Sequence, residues 1–217
     1  MKVLVLSDIH GAVNEVESIL NKEEEHGLIL VAGDITDTSE DDYLGTAKEI
    51  VELLGESGRF VKAVPGNMDD EDILKLLIEN RINLHKNIFS LQEHEFIGFG
   101  GGRTPDGVET PFEPEDRERG EVLEQLLQRT QSDRRVVVSH EPPKGTSADV
   151  VSGDHVGSES LRKLIGDEDI DLVICGHIHE SRTVDEVDGT TVVNPGSVKE
   201  GRYAVLELGD ELEIDLR

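Results

Sequence analysis

Residues 2–10 read KVLVLSDIH, a strand-like run that ends in a polar turn carrying Asp8 and His10. The same order recurs twice. The run at 28–34, LILVAGD, ends in the acid Asp34, and the run at 60–67, FVKAVPGN, ends in the amide Asn67. Side chains just past the carboxyl ends of strands in an open α/β sheet meet at one crevice. These stretches therefore predict an α/β fold with a polar crevice at one edge of a sheet.

Two later strand-like runs, Val136–Val138 and Leu172–Cys175, end in histidines. One histidine at such a position is usually structural, but metal-ligand residue types at five successive strand ends are hard to explain in that way. Residues two apart in an extended segment project to one side, which suits the Asp-x-His and His-x-His spacings. Carboxylate, amide and imidazole donors together suit Mn, Fe or Zn better than Ca or Mg. The candidate metal ligands are Asp8, His10, Asp34, Asn67, His140, His177 and His179.

The first 80 residues alternate between strand-like runs and segments with apolar residues at helical spacing. Strand–helix alternation predicts parallel pairing with right-handed crossovers. Asp69 or Asp70 is placed to cap the third helix. The predicted elements are Lys2–Leu6, Val13–Glu25, Leu28–Ala32, Asp41–Leu54, Phe60–Val64 and Asp70–Glu79.

The rest of the chain has a different character. The segment 100–118 is rich in Gly, Pro and acids and is too long for an ordinary connection. Asp188 and Gly189 form a strong hairpin signal near the end. The predicted strands are Asn87–Leu91, Glu95–Gly98, Ser181–Val187, Thr190–Asn194 and Tyr203–Leu208, and the predicted helices are Glu121–Gln131 and Ser158–Ile165, the latter capped by Ser158.

Length and composition favour a single globular domain over residues 1–217. No apolar run approaches the roughly 18 residues of a membrane span, and the start of the chain lacks the basic flank and cleavage site of a signal peptide. Cys175, the single cysteine, excludes an internal disulfide and fits a reducing cytoplasm. We expect Cys175 to be a small buried side chain.

The net charge of −27 arises from 48 acidic residues against 21 Lys and Arg. Such self-repulsion destabilises a compact chain in dilute buffer. At 1 M salt the Debye length falls to roughly 3 Å and the repulsion mostly vanishes. Thermophilic proteins raise Lys together with Glu, which this chain does not do. The charge therefore predicts a salt-rich cytoplasm, as in a halophilic archaeon.

The motifs DIH at 8–10, GDITD at 33–37, GNMDD at 66–70, the single His140 and GHIH at 176–179 stand in the order DxH, GDxxD, GNHD/E, H, GHxH. The chain resembles the calcineurin-like metallophosphoesterases, which carry that pattern. A closer resemblance is to the Icc-related predicted phosphoesterases of archaea and bacteria, through stretches such as SHEPPKGT and NPGSVKEGRYAVLEL.

The resemblance implies a four-layer α/β/β/α sandwich of two mixed sheets and two divalent metal ions (Mn, Fe, Zn or Ni). By resemblance, Asp8, His10, Asp34 and His179 would hold the first ion, Asp34 would bridge, and Asn67, His140 and His177 would complete the second site. Two metals about 3.5–4 Å apart lower the pKa of a shared water and clamp phosphoryl oxygens. The implied activity is hydrolysis of a small phosphate monoester or diester by a metal-bridging hydroxide.

The chain departs from the family pattern at residue 68. In GNHD/E the His would orient or protonate the phosphate, and the acid after it, here Asp69, would hold that His. Met68 stands in its place, and a thioether cannot donate a proton. His155, in the segment GDHVGS, is a candidate proton donor or substrate contact, and Arg103 is a candidate phosphate contact. Their ordinary alternatives are a surface histidine and a solvated arginine.

Two other functions are carried as alternatives. A nuclease is disfavoured because the chain lacks a basic stripe for a duplex, although high salt would screen phosphate attraction in any case. The other alternative is a protein-binding scaffold on the same fold, as in the retromer subunit. The seven filled ligand positions disfavour it, while Met68 favours it. Stoichiometric metal would distinguish an enzyme from a scaffold.

The remaining polar residues of interest have ordinary interpretations. We expect His26, His85 and His94 to be exposed to solvent. Asp37 is expected to support the turn after Asp34. Two further residues are left open: Glu141 lines the pocket or caps its loop, and Asn194 forms a turn that could face the metals.

Overall fold

The structure is a computed structural model that describes residues 1–23, 25–104 and 107–217. Two mixed sheets carry helices on their outer faces. In chain order the elements are β1 (Lys2–Leu6), α1 (Val13–Lys22), β2 (Leu28–Ala32), α2 (Tyr43–Glu56), β3 (Phe60–Val64), α3 (Glu71–Glu79), β4 (Asn87–Leu91), β5 (His94–Phe99), α4 (Asp116–Leu127), β6 (Arg134–Ser139), β7 (Val150–Val151), β8 (Asp154–His155), α5 (Glu159–Asp167), β9 (Leu172–Ile174), β10 (Thr183–Val187), β11 (Thr190–Asn194), β12 (Ala204–Leu208) and β13 (Leu212–Leu216).

The strand order is β13-β12-β1-β2-β3 in the first sheet and β10-β11-β9-β6-β5-β4 in the second. Strands β1, β2 and β3 are parallel, and so are β11, β9, β6 and β5. The outer strands pair antiparallel through hairpins, and β12 returns antiparallel to β1. The carboxyl ends of the central strands therefore point to the same edge of the sandwich.

Alternation along the central strands divides the core into three layers. On β1, Leu4 and Leu6 pack against α1 to α3, while Val3 and Val5 pack against the second sheet. On β6, Val137 faces α4 and α5, while Val136 and Val138 face the first sheet. Both faces of these strands are buried, which explains their continuous apolar sequence. The predicted α/β/β/α sandwich of two mixed sheets is confirmed.

Several elements differ from the sequence prediction, most clearly α4 and β13, and the short β7–β8 hairpin was not predicted. Helix α4 begins at Asp116 and ends at Leu127, whereas the predicted helix began at Glu121. The earlier start is stabilised by a tertiary contact, because the Asp116 carboxylate accepts hydrogen bonds from Ser158 Oγ and from Ser160 N. Strand β13 was not predicted, although LEIDL has the alternation of a half-buried edge strand.

The prediction that His26, His85 and His94 are exposed is wrong. The three residues are 8%, 6% and 6% exposed. His85 Nδ1 accepts a hydrogen bond from Gly100 N at 2.8 Å, and its ring lies between Phe99 and Phe112. Burial, with the nearby cations Lys86 and Arg119, lowers the pKa of His85 to about 3, so this ring is neutral. Cys175 is buried as predicted.

None of the described helices combines the length and the hydropathy needed to cross a bilayer.

The charge of −27 on this fold leads to a prediction about salt. We expect dialysis from 2 M to 20 mM KCl to lower Tm by at least about 10 °C, because unscreened surface acids repel each other. Circular dichroism at both salt concentrations measures the change. Sucrose at matched osmolarity is the control, since it does not screen charge; an unchanged Tm in dilute KCl would contradict the expectation.

Candidate metal centre

The turns after β1, β2 and β9 hold their polar residues in the left-handed backbone region. φ is 53° at Asp8, 45° at His10, 51° at Asp34 and 70° at His177. Residues other than glycine rarely adopt this conformation, and it persists where the surrounding structure fixes it. Asp8 N donates to Gly33 O at 3.0 Å and His10 N donates to Asp34 O at 2.9 Å, so the first two turns fix each other. Four of the seven residues predicted to bind metal thus have a left-handed backbone.

One group of converging side chains contains Asp8, His10 and His179, whose donor atoms lie within 4.8 Å of one another. His179 Nε2 is 3.2 Å from Asp8 Oδ1, and it is 3.3 Å from His10 Nε2. Two imidazole nitrogens that face each other can share at most one hydrogen. A cation placed among these atoms would instead accept a lone pair from each of them.

The second group contains Asp8, Asp34 and His140, all of them buried. Asp34 Oδ2 lies 3.4 Å from His140 Nε2 and 3.6 Å from His10 Nε2. The same carboxylate oxygen therefore faces one imidazole of each group. Asp34 could therefore contribute a ligand atom to a cation beside either imidazole.

Asn67 and His177 complete the second group. Asn67 Oδ1 lies 3.0 Å from His140 Nε2. The rings of His140 and His177 are 5.0 Å apart in an edge-to-face arrangement. The backbone N of His177 donates to both oxygens of Asp8 at 3.1 Å, which joins the loop after β9 to the turn after β1. The structure thus brings all seven candidate ligands into one crevice.

Backbone carbonyls select which nitrogen of two imidazoles carries the proton. His140 Nδ1 lies 2.7 Å from Ala32 O, and His177 Nε2 lies 2.8 Å from Arg103 O. Each of those nitrogens is the donor, so in the neutral ring the other nitrogen has the lone pair. Such carbonyl partners are common around metal-binding histidines. The lone-pair atoms are then His140 Nε2, which faces Asp34, and His177 Nδ1.

The charges in the crevice are strongly coupled. Burial alone would lower the pKa of His140, but the carboxylates of Asp34 and Asp8 raise it to about 9. Burial and the proximity of His140 lower the pKa of His177 to about 4. Burial alone would raise the pKa of Asp34, but the imidazoles of His140 and His10 hold that pKa well below its usual range. These buried anions and lone pairs facing one another fit divalent cations, whose binding would displace the proton of His140.

Close backbone approach and a distant loop support the crevice. A Cβ on Gly66 would overlap the Asp34 carboxylate, and one on Gly176 would overlap Ser7 and Asp8, so both positions require glycine. Ser197 Oγ donates to Asp8 O at 2.7 Å. The turn that carries Asp8 is therefore fixed by residues nearly 190 positions later in the chain.

A sequence model of the family described as "Calcineurin-like phosphoesterase" matches residues 1–181. The chain belongs to that family. A protein of Methanocaldococcus jannaschii named "Uncharacterized protein MJ1162" is 34% identical over 208 residues, a match that covers 90% of this chain and 88% of the relative.

Solved structures share the fold of this calcineurin-like phosphoesterase. The crystal structure of TT1561 from Thermus thermophilus has a TM-score of 0.75 at 18% identity and covers 99% of this chain and 98% of its own. A dimetal phosphatase from Danio rerio has a TM-score of 0.72 at 13% identity and covers 100% of this chain and 96% of its own. At these identities the similarity establishes the fold.

In this calcineurin-like phosphoesterase the Asp69 carboxylate forms hydrogen bonds with backbone amides and not with a histidine side chain. Its buried carboxylate accepts hydrogen bonds from the amides of Gly66, Ile35 and Thr36, at 2.8 to 3.2 Å. It therefore joins the turn of Asp34 to the turn of Asn67. Met68 is half-buried, and its amide donates to Asp34 Oδ1 at 2.8 Å.

The two candidate substrate contacts, Arg103 and His155, lie on different loops. The carbonyl of Arg103 contacts His177, as described above. His155 is on the β7–β8 hairpin, where its Nδ1 lies 2.6 Å from a carboxylate oxygen of the buried residue Asp149. A hydrogen bond joins that hairpin to the segment that carries His179: Ser181 Oγ donates to Val150 O at 2.7 Å. The roles of Arg103 and His155 stay predictions.

Sequence reasoning missed a buried charged cluster next to the crevice. Arg119 is fully buried; Nη2 lies 2.7 Å from Glu141 Oε2, and Nη1 lies 3.0 Å from Asp116 Oδ1. Arg119 Nη2 also donates to Gly101 O at 3.0 Å. Glu141 directly follows His140, so the cluster fixes both the end of β6 and residues 100–103, which we call the glycine loop. A fully buried Arg on a helix with mostly charged neighbours has no distinguishing sequence signal.

Asn194 forms a turn, as predicted, and also supports the metal-binding loop. Its Nδ2 donates to Ile178 O at 2.9 Å, and its Oδ1 accepts from Gly196 N. Asp37 accepts hydrogen bonds from Ser39 N and Oγ. Both residues act on backbone turns.

Proposed function

We propose that this calcineurin-like phosphoesterase binds two divalent ions and hydrolyses a small phosphate monoester or diester. The observation that carries the proposal is the position of Asp34 Oδ2 between His10 Nε2 and His140 Nε2, at 3.6 and 3.4 Å. Residues 1–217 would act as one catalytic domain in a salt-rich cytoplasm. The metal pair would be drawn from Mn, Fe, Zn and Ni.

The ligand assignment is the one that the family resemblance implies, and the two groups of side chains support it. Asp8, His10 and His179 would hold one ion, Asn67, His140 and His177 the other, and Asp34 would contact both. When bound, such a pair supplies an activated water as the nucleophile and neutralises charge on the phosphoryl oxygens. The protein fixes the donors in advance, through left-handed turns and through the carbonyls of Ala32 and Arg103.

The remaining alternatives receive less support. A non-catalytic scaffold would not require seven donors directed into one crevice from five strand ends. A nuclease would require an attractive surface for a polyanion, and this chain carries a charge of −27. A small ester, held mainly by the metals, is the substrate that fits both observations.

Metal content and hydrolysis together test the proposal. The protein is stripped with a chelator in 2 M KCl and reloaded with Mn, Ni, Zn or no metal. It is then assayed on aryl phosphate monoesters, aryl diesters and cyclic nucleotides. We expect two metals per chain by elemental analysis and activity only in the reloaded samples. Chelated protein that retains full activity, or protein that takes up no metal, would sink the proposal.

Met68 leads to a prediction about leaving groups. Without a proton donor at this position, we expect kcat/KM for 4-nitrophenyl phosphate to exceed that for the alkyl ester glycerol 2-phosphate by at least about 100-fold. Met68→His should raise the rate on the alkyl ester by about 100-fold and change the aryl ester little. Steady-state kinetics with both esters measures the two effects.

Met68→Gln is the matched control, since its side chain is of similar length but cannot transfer a proton. A wild-type enzyme that hydrolyses both esters at comparable rates would show that another acid is present. In that case His155→Gln should restore the preference for the aryl ester.

A further inference from the structure

A cavity of about 420 Å³ adjoins the candidate metal centre, and it is lined by Arg103, Thr104, Asp116, Glu141, Val156 and Glu159. Its walls are continuous with the second group of candidate ligands. Glu141 follows His140, and the Arg103 carbonyl accepts the hydrogen bond from His177 Nε2. A Cβ added to Gly102 would lie 3.5 Å from His177 Cε1 and 3.6 Å from His140 Cδ2, so the glycine loop packs against both rings.

The acidic residues of this cavity already have cationic partners. Asp116 and Glu141 pair with buried Arg119, and Glu159 pairs with Lys144 Nζ at 2.6 Å. Arg119 and Lys144 offset two of the three carboxylate charges, and their contacts hold all three groups in place. They leave little reason for the cavity to bind a cation.

Arg103 is the exception in the cavity. Its side chain is exposed, and within residues 1–23, 25–104 and 107–217 its guanidinium makes no hydrogen bond or ion pair. Only its backbone carbonyl is engaged, by His177. An arginine presents a planar set of donors that matches a carboxylate or phosphate. With Arg103 the cations of the cavity and its partners balance the three carboxylates, and among the described lining residues Arg103 is the cation whose donors are open to an anion.

We propose that this cavity is a leaving-group subsite, and that Arg103 binds a second anionic group on the alcohol part of the ester. The inference rests on the proposed phosphoesterase function. The preferred substrates are then phosphate esters whose leaving alcohol carries a carboxylate or a second phosphate. The metals hold the scissile phosphoryl group, and Arg103 selects the remainder of the molecule.

Two substrate pairs test the second anion and separate its sources. 2-Phosphoglycerate and glycerol 2-phosphate differ by a carboxylate in place of a hydroxymethyl group. Fructose 1,6-bisphosphate and fructose 6-phosphate differ by a phosphate. Metal-loaded enzyme in KCl is expected to prefer the doubly anionic member of at least one pair by about 10-fold in kcat/KM, from one charge-assisted contact. The pair with the larger ratio identifies the anion.

Arg103→Gln is expected to bring that ratio to about 1, mainly by raising KM for the anionic member. Arg103→Lys should retain part of the preference, since it keeps the charge but loses the planar donors. Arg129→Gln removes the same charge at an exposed position just past the end of α4 and is the matched control.

Each outcome decides the proposal. Wild-type ratios near 1 for both pairs overturn it and leave the phosphoesterase function standing. An equal loss on both members in Arg103→Gln also overturns it, because Arg103 would then bind the scissile phosphate. If no compound is hydrolysed, calorimetry decides: metal-loaded wild type should bind 2-phosphoglycerate or the bisphosphate about 10-fold more tightly than Arg103→Gln does, and equal affinities overturn the subsite.

Discussion

Asp34→Asn will lower kcat/KM by at least about 1,000-fold, which corresponds to about 4 kcal/mol of transition-state stabilisation. The change removes the charge of the oxygen that lies 3.4 Å from His140 Nε2 and 3.6 Å from His10 Nε2. Asn keeps the shape of the side chain and can still accept the hydrogen bond from Met68 N. Two cations close together would lose their shared anion, and we expect bound metal to fall from two ions per chain to one or fewer.

The matched control for this prediction is Asp37→Asn. It makes the same change three residues later in the same loop. Within the described residues, the hydrogen bonds of the Asp37 carboxylate come from Ser39 alone. This control should keep two metals and nearly full activity. Elemental analysis, kinetics and thermal unfolding are measured on both variants. An Asp34→Asn protein with two metals and wild-type turnover would rule out the shared-ligand assignment.

The second large effect is expected for Arg119→Met. Removing one partner of a buried ionic cluster leaves Glu141 and Asp116 without their cation, which typically costs about 3–5 kcal/mol of unfolding free energy. The same change frees Gly101 O, which Arg119 Nη2 contacts at 3.0 Å. Because the glycine loop also carries the carbonyl that holds His177, we expect weaker binding of one metal as well.

Urea unfolding in 2 M KCl measures the stability of this variant, and titration calorimetry measures its metal affinity. The double variant Arg119→Met with Glu141→Gln should recover part of the stability, since it removes the unpaired charge that the single change creates. A single variant within about 1 kcal/mol of wild type would show that the cluster is solvated and that its carboxylates need no partner.

The strands with a strong local pattern were predictable, and these include the exposed edge strand β4, predicted as Asn87–Leu91 and found there. Strands β1, β2 and β3 were also predicted with the bounds that the structure has, because each is a short, mainly apolar run that ends in a polar turn. The start of α4 was not predictable, since it depends on Asp116 contacting Ser158 and Ser160, more than 40 residues away. The sequence around Asp116 does not indicate such a distant contact.

Some features of the candidate site could likewise be predicted from the sequence, and others could not. That seven donors would converge could be inferred from strand ends alone, because parallel strands deliver their carboxyl ends to one edge. The left-handed turns and the carbonyl partners of His140 and His177 could not, since they arise from contacts between loops. The buried histidines show the converse error: a polar residue in a turn suggested solvent, whereas His85 is enclosed by Phe99 and Phe112.

The hydrogen bond from Ser197 to Asp8 has a consequence for biosynthesis. Strand β1 lies in the middle of its sheet and is completed on one side by β12, and the Asp8 turn is tied down by residue 197. A nascent chain that has emerged only as far as His179 has every donor but neither of these supports. We therefore expect metal loading to follow synthesis of residues 197–208, so that ribosome-bound chains halted before that point do not retain metal.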